Sequence, residues 1–209
     1  MAPPHVLPDL LRPGLRVVIC GSAAGAVSAA RGAYYAGPGN KFWRILAEVK
    51  LTPRRLEPGE FLEVLNFGIG LTDLVKTHSG SDAVLPREAN DVAGLIARIR
   101  SVRPGLIAFN GKRAAAVFYR RLGRDVGYGP GPPIADFPPI WVLPSTSGAA
   151  CGSWSDAPWR QFADAVGASG EEFQVQRAVM QRPVRSVSPE APAFPPPAAT
   201  VRNTPPDYG

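Results

Sequence analysis

The apolar residues of this chain fall into two patterns, short unbroken runs and longer stretches at helical spacing. The run LRVVIC, Leu15 to Cys20, follows a Pro-Gly pair and reads as a buried parallel strand. Leu106 to Phe109 and Ile140 to Leu143 (IWVL) read as two more. Between these runs the period changes. From about Asn40 the positions Phe42, Trp43, Ile45 and Leu46 take up helical spacing, and Pro58 to Leu65 reads as a short helix with proline in its first turn. Pro86 to Val102 carries Val92, Leu95, Ile96 and Ile99 at i, i+3, i+4 and i+7, the stripe of an amphipathic helix. Lys112 to Leu122 and a stretch ending near Val166 read as the last two helices. The segments left over read as loops: Gly21 to Gly25 (GSAAG), Gly127 to Pro139, and PSTSGAACGSW after the third strand.

Strands alternating with helices predict an α/β domain with a largely parallel sheet. Ligands of such sheets sit beyond the carboxyl ends of the strands, and the loops after Cys20 and Leu143 occupy those places. Residues 1–170 are read as this one domain. Residues 171–209 are read as a Pro-rich tail, because that stretch lacks periodicity and is dense in proline after Gln181.

Composition narrows the function classes. No run approaches the ~20 apolar residues of a membrane span. The opening MAPPHVLPDLLRPG is too rich in proline for a secretory signal. A cytoplasmic, nucleoid-associated bacterial protein is therefore expected, with no membrane partner. The two cysteines, Cys20 and Cys151, offer no CxxC spacing and no thiolate set, so no metal and no organic cofactor are expected. Net charge is +6. In residues 171–209 four arginines meet four acids, so the whole excess belongs to residues 1–170. A compact domain with that excess suits a polyanionic partner.

The candidate chemistry clusters in a few segments. Gly21-Ser22-Ala23-Ala24-Gly25 follows a strand with glycine at both ends, where backbone N–H groups can approach a ligand. It is neither GxGxxG nor a P-loop, and a plain tight turn explains it equally well. The next stretch, SAARGAYYAGPGNKFWRIL, sets Tyr35 among small residues in a loop, where an aromatic ring can stack on an extruded base. Phe42 and Trp43 read as core.

Taken in order, LRVVICGSAAG, SAARGAYYAGPGNKFWRIL, FGIGLTDLV, PGLIAFNGKRAA and IWVLPSTSGAACG resemble the mismatch-specific uracil/thymine-DNA glycosylases of the uracil-DNA glycosylase superfamily. The resemblance runs from Leu15 to about Val166. It implies a single three-layer domain, a central four-stranded parallel sheet flanked by helices, with DNA crossing the strand carboxyl ends. It also implies that Tyr35 stacks on the flipped base, that Ser22, Ala23 and Gly25 border the base, and that Ser28 meets the 5-position of the pyrimidine. The loop Ser145-Thr146-Ser147-Gly148-Ala149 is implied to grip DNA. Two departures stand out. The family's water-holding Asn of the first motif is Ala23 here, and the bulky residue that wedges into the base stack is Ala149.

With a methyl at position 23, another group must assist the water. Asp73, read in a loop that the resemblance aligns with the pocket wall, is the first candidate, since a carboxylate stabilises an oxocarbenium-like sugar and holds a water. Asn40 is the second, for reading the base edge or holding water. Both residue types also cap helices and turns. Lys41, Arg44, Lys76, Lys112 and Arg113 are candidate phosphate contacts, with Lys112-Arg113 opening a helix directly after a strand. His78 reads as a solvated loop residue. The expected function is excision of uracil, or a related deaminated base, from single- or double-stranded DNA by a monomer that leaves an abasic site. The alternatives are a non-catalytic binder of damaged or abasic DNA and, more remotely, a small-molecule hydrolase on the same frame.

Overall fold

A computed structural model describes residues 4–120 and 125–167, and of 151–153 the backbone only. The Pro-rich tail, the Leu122 end of one helix and the Cys151 side chain lie outside the described residues. The chain runs β1 (Val17–Ala24), α1 (Ala26–Arg31), α2 (Phe42–Glu48), a 3-10 helix Pro58–Phe67, β2 (Ile69–Ser79), α3 (Val92–Val102), β3 (Leu106–Asn110), α4 (Lys112–Tyr119), β4 (Gly129–Pro130), β5 (Ile140–Leu143), a 3-10 helix Gly148–Ser153, and α5 (157–167).

The sheet order is β2-β1-β3-β5-β4, with the first four parallel and the two-residue β4 antiparallel at one edge. The parallel set of four matches the expected α/β architecture, and β4 adds a short edge inside a segment read as a loop. Successive residues of each strand face opposite layers. Val17, Ile19, Leu106 and Ala108 join one core with Tyr34, Phe42, Trp43, Trp159 and Phe162. Val18, Cys20, Ile107 and Phe109 join the other with Leu95, Ile99, Ala114, Ala115 and Phe118. Helices on both faces make three layers.

Three expectations need correction. The first strand does not stop at Cys20: it continues to Ala24, so Gly21 to Ala24 form its C-terminal end, Gly25 stands at the N-cap, and Ala26–Arg31 coils into α1. The amphipathic stretch from Pro86 becomes helical only at Val92, where the Asp91 side chain accepts the Gly94 N–H at 2.8 Å as an N-cap. The segment from Ile69, read as a loop, is the longest strand of the sheet, with its first eight residues buried. Its sequence, IGLTDLVKTHS, lacks alternation because both faces and the outer edge are covered. The N-terminal segment lies along that edge, with the Val6 N–H donating to Lys76 O and Leu10 exchanging both backbone bonds with Leu71.

In this order the chain leaves β1 for β2 on one side, then crosses to β3 on the other. The crevice beyond the carboxyl ends of β1 and β3 is therefore the topological switch point.

Candidate active site

One cleft of about 700 Å³ opens at that switch point. Its walls come from the end of β1 and the start of α1, the Tyr34–Asn40 loop, Asp73 of β2, the Asn110–Arg113 corner and the loop after β5. Ser22, Ala23, Gly25, Ser28, Tyr35, Asn40, Asp73, Lys112, Arg113 and Ser145 to Ala149 all line it.

At the centre lies Gly21, paired across the sheet with Asp73. A methyl group on Gly21 would come within 2.6 Å of Asp73 Oδ1 and 3.4 Å of Tyr35 Oη. The glycine is thus the space on which a carboxylate and a phenol converge. Any side chain at 21 would have to evict one of them.

Tyr35 is held in place by its neighbours on the chain. Its backbone sits at φ 53°, the left-handed region that a bulky residue adopts only when the surroundings impose it. The residue before is pinned by Trp43 Nε1, which donates to Tyr34 O at 3.1 Å. The residue after is pinned by Ser28 Oγ, which accepts the Ala36 N–H at 3.0 Å. Phe42 stacks beneath the ring at 3.8 Å and 24°. Ser28, 5% exposed, therefore spends its hydroxyl on the turn that presents Tyr35. The Tyr35 hydroxyl is buried and has no hydrogen-bond partner among the described residues. Asn110 neighbours it; the Oδ1 and one Nδ2 hydrogen of that amide bind Thr146, which leaves a second Nδ2 hydrogen on the Tyr35 side.

Asp73 is 3% exposed. Burial raises its carboxyl to about 6; Asp9 adds to the rise, while Lys76, the Tyr34 hydroxyl and Arg98 pull the other way. No ion pair among the described residues reaches its carboxylate; Arg98 Nη2 donates at 3.3 Å to its backbone carbonyl instead. Such a group is mostly anionic at neutral pH yet close enough to its midpoint to take a proton, the condition for a general base.

Asn40 uses Oδ1 to accept the Phe42 N–H at 2.9 Å, so its carbonyl caps the start of α2 while the side chain still borders the cleft. Thr146, in the loop after β5, is fully buried: Asn110 Nδ2 donates to its hydroxyl at 2.9 Å and its N–H donates to Asn110 Oδ1 at 3.0 Å. Its backbone carbonyl accepts the Lys41 N–H. Thr146 thus fastens the loop rather than presenting a free hydroxyl, while Ser147 and Ala149 are exposed at the rim. A side chain on Gly148 would meet Pro38 O at 2.9 Å, so this loop packs directly on the Gly37–Gly39 turn.

The sequence reading missed Asn110. A polar residue ending an apolar strand at the switch point was the available signal. Among the proposed phosphate contacts, Lys112 lies 4.4 Å above the Tyr128 ring and Arg113 faces Asp82 at 3.8 Å, both beside the cleft. Lys41 sits over Trp154, and Arg44 pairs with Glu48 on the outside of α2. Lys76 is a correction. It is 4% exposed and bonded to Asp9 at 2.8 Å, so it is turned into the protein and away from any phosphate. His78 is exposed, bonded to Thr77 Oγ1, and lies outside the cleft lining.

Two comparisons bear on this geometry. The sequence profile of the uracil DNA glycosylase superfamily matches residues 8–164. The solution structure of a candidate uracil DNA glycosylase from Methanosarcina acetivorans is 26% identical and superposes with a TM-score of 0.52, over 80% of this chain and 96% of that one. Among the described residues no helix is long and apolar enough to cross a membrane.

Proposed function

The chain belongs to the uracil DNA glycosylase superfamily, and from that premise we propose that it is a monofunctional glycosylase that flips uracil, or a related deaminated base, out of DNA and hydrolyses its N-glycosidic bond. The observation that carries this reading is the convergence of Asp73 and Tyr35 on Gly21 in the switch-point cleft.

Phe42 occupies one face of Tyr35, which leaves the cleft-side face for the extruded base. Base-on-ring stacking contributes about 1–3 kcal/mol, enough to offset much of the cost of flipping. Ser22, Ala23 and Gly25 border the base, Ser28 lies where its 5-position would meet the wall, and the Asn40 amide faces its edge. As the C1′–N1 bond breaks, positive charge develops on the sugar. The Asp73 carboxylate stabilises that charge and accepts the proton of the attacking water, a task the Ala23 methyl cannot perform. Lys112, Arg113 and the Ser145–Ala149 loop hold the flanking phosphates, a role that their position in the cleft lining supports. Ala149 supplies only a methyl where a wedge would fill the gap left by the flipped base, so single-stranded uracil DNA is cut at least as well as a G·U duplex. The product is an abasic site.

Single-turnover cleavage of uracil oligonucleotides by the wild type, Asp73→Asn and Asp73→Ala tests this. The reading predicts cleavage by the wild type, no preference for the duplex, and loss of cleavage in both variants. Full rates in both variants would remove Asp73 from the mechanism. Ala23 favours one second reading, a non-catalytic binder of abasic DNA. A wild type that binds abasic DNA tightly and never cuts uracil DNA would establish that reading instead.

A further inference from the structure

One polar atom in the cleft has a position that ring stacking does not explain. Tyr35 offers its ring face to the extruded base, but its hydroxyl is buried and makes no hydrogen bond among the described residues. A hydroxyl taken out of water without a partner destabilises the fold, and such atoms are few in native proteins. Phenylalanine would remove that cost and keep the ring with its 3.8 Å stack on Phe42. The backbone of Tyr35, at φ 53°, is itself held in an unfavourable region that fixes the direction of the side chain.

That direction is toward Gly21. A Cβ on this glycine would stand 3.4 Å from Tyr35 Oη and 2.6 Å from Asp73 Oδ1, so both oxygens face one point above a residue with no side chain. They make no hydrogen bond with each other. Gly21, Tyr35, Asp73 and Asn110 all line the cleft, so this point belongs to it. Asn110 adds a donor, because its second Nδ2 hydrogen lies on the Tyr35 side. A phenol oxygen that accepts from an amide keeps its own proton free to donate. Burial, and then the Asp73 charge, push the ionisation of this phenol upward, so it stays protonated across the neutral range.

We propose that Tyr35 is a catalytic residue through its hydroxyl, which donates to the attacking water that Asp73 deprotonates. This deepens the glycosylase reading above and rests on it. A water molecule has two hydrogens and two lone pairs. Asp73 accepts one hydrogen and the Tyr35 O–H takes one lone pair, which leaves the second lone pair to meet the sugar. Held by the carboxylate alone, the water is anchored at one point and turns about that bond. In the step itself the free lone pair forms the bond to C1′. The electron pair of the C1′–N1 bond leaves with the base, and the water proton passes to Asp73. Tyr35 keeps its proton throughout.

Single-turnover cleavage of a uracil oligonucleotide, titrated with enzyme to saturation, tests this for the full chain, Tyr35→Phe, Asp73→Asn and the double variant. Tyr35→Phe keeps the ring, so the enzyme concentration at half-maximal rate is unchanged while the saturated rate falls about 10- to 100-fold. The remaining rate still climbs with pH, because Asp73 is still the base. Adding Tyr35→Phe to Asp73→Asn costs less than about twofold, since both groups act on one water. The melting temperature of Tyr35→Phe equals or exceeds that of the wild type. A saturated rate equal to wild type overturns the inference. So does a loss that saturating enzyme restores, or one that multiplies fully onto that of Asp73→Asn, because each puts the hydroxyl on the base instead of the water. A melting temperature lowered by several degrees makes the hydroxyl structural and overturns it too. These outcomes leave the glycosylase reading intact, whereas a wild type that cuts no uracil oligonucleotide overturns both.

Discussion

Half-buried Asp9 and buried Asp73 both meet β2, and their surroundings differ in kind. Asp9 is wrapped: a threonine hydroxyl, an ammonium and a guanidinium lie against its two oxygens. Asp73 is more deeply buried, and among the described residues it has no ion pair and shares the space over Gly21 with a phenol that makes no hydrogen bond. A buried charge is ordinarily satisfied, because an uncompensated one costs several kcal/mol or shifts to its neutral form. The first acid follows that rule and holds the N-terminal segment on β2. The second departs from it at the switch point of the sheet, where departures from local consistency mark function.

The largest effect that separates the two is catalytic. Asp73→Ala and Asp73→Asn lose about 10²–10³-fold in single-turnover cleavage, or about 3–4 kcal/mol of transition-state stabilisation, as for other groups aimed at developing charge. Asp9→Ala acts on the fold instead. It leaves Lys76 and Arg98 without their shared partner and lowers unfolding free energy by about 3 kcal/mol, read by denaturant titration.

A third contrast is the sign of the stability change at Asp73. Its folded value of about 6 lies above the usual 3.8, so the native state favours the protonated acid. That contribution is complete below the unfolded value and is lost as pH rises through the folded one. Above pH 6 the ionised form costs the fold about 3 kcal/mol by linkage. Asp73→Asn therefore raises the unfolding free energy by up to that amount at pH 7–8, and the gain vanishes near pH 4. An inactive variant that is more stable than its parent fits a residue kept for chemistry. A destabilised Asp73→Asn at pH 7.5 would place Asp73 in the same class as Asp9.

The sequence made one half of this contrast legible. Val17 to Cys20 and Leu106 to Phe109 are buried on both faces, so their apolar runs betray them as parallel strands. Their position relative to glycine and small-residue segments located the cleft. The type of Asp73 and its nearness to the pocket were readable from the GIGLTDLV segment, but its setting was not. Thr72, Asp73 and Lys76 give β2 a polar, unalternating sequence, and only the tertiary cover of residues 6–10 makes it a strand. The same blindness sent Lys76 toward phosphate, since nothing local records an acid 67 positions earlier in the chain. Ser28 and Thr146 were read as ligand contacts, yet each bonds a backbone or side-chain partner that only folding brings near. Asn110, at the end of an apolar run, was passed over because its value lies in a loop 36 residues away.

The central claim is that Asp73 works as a carboxylate whose affinity for protons is set by burial. The most direct measurement is the pH dependence of single-turnover uracil cleavage by the wild type. The account predicts a rate that climbs about tenfold per unit below pH 6 and levels off above it, with the residual rate of Asp73→Asn showing no such step. A wild-type rate that is flat from pH 5 to 8, or a step that survives in Asp73→Asn, would contradict it.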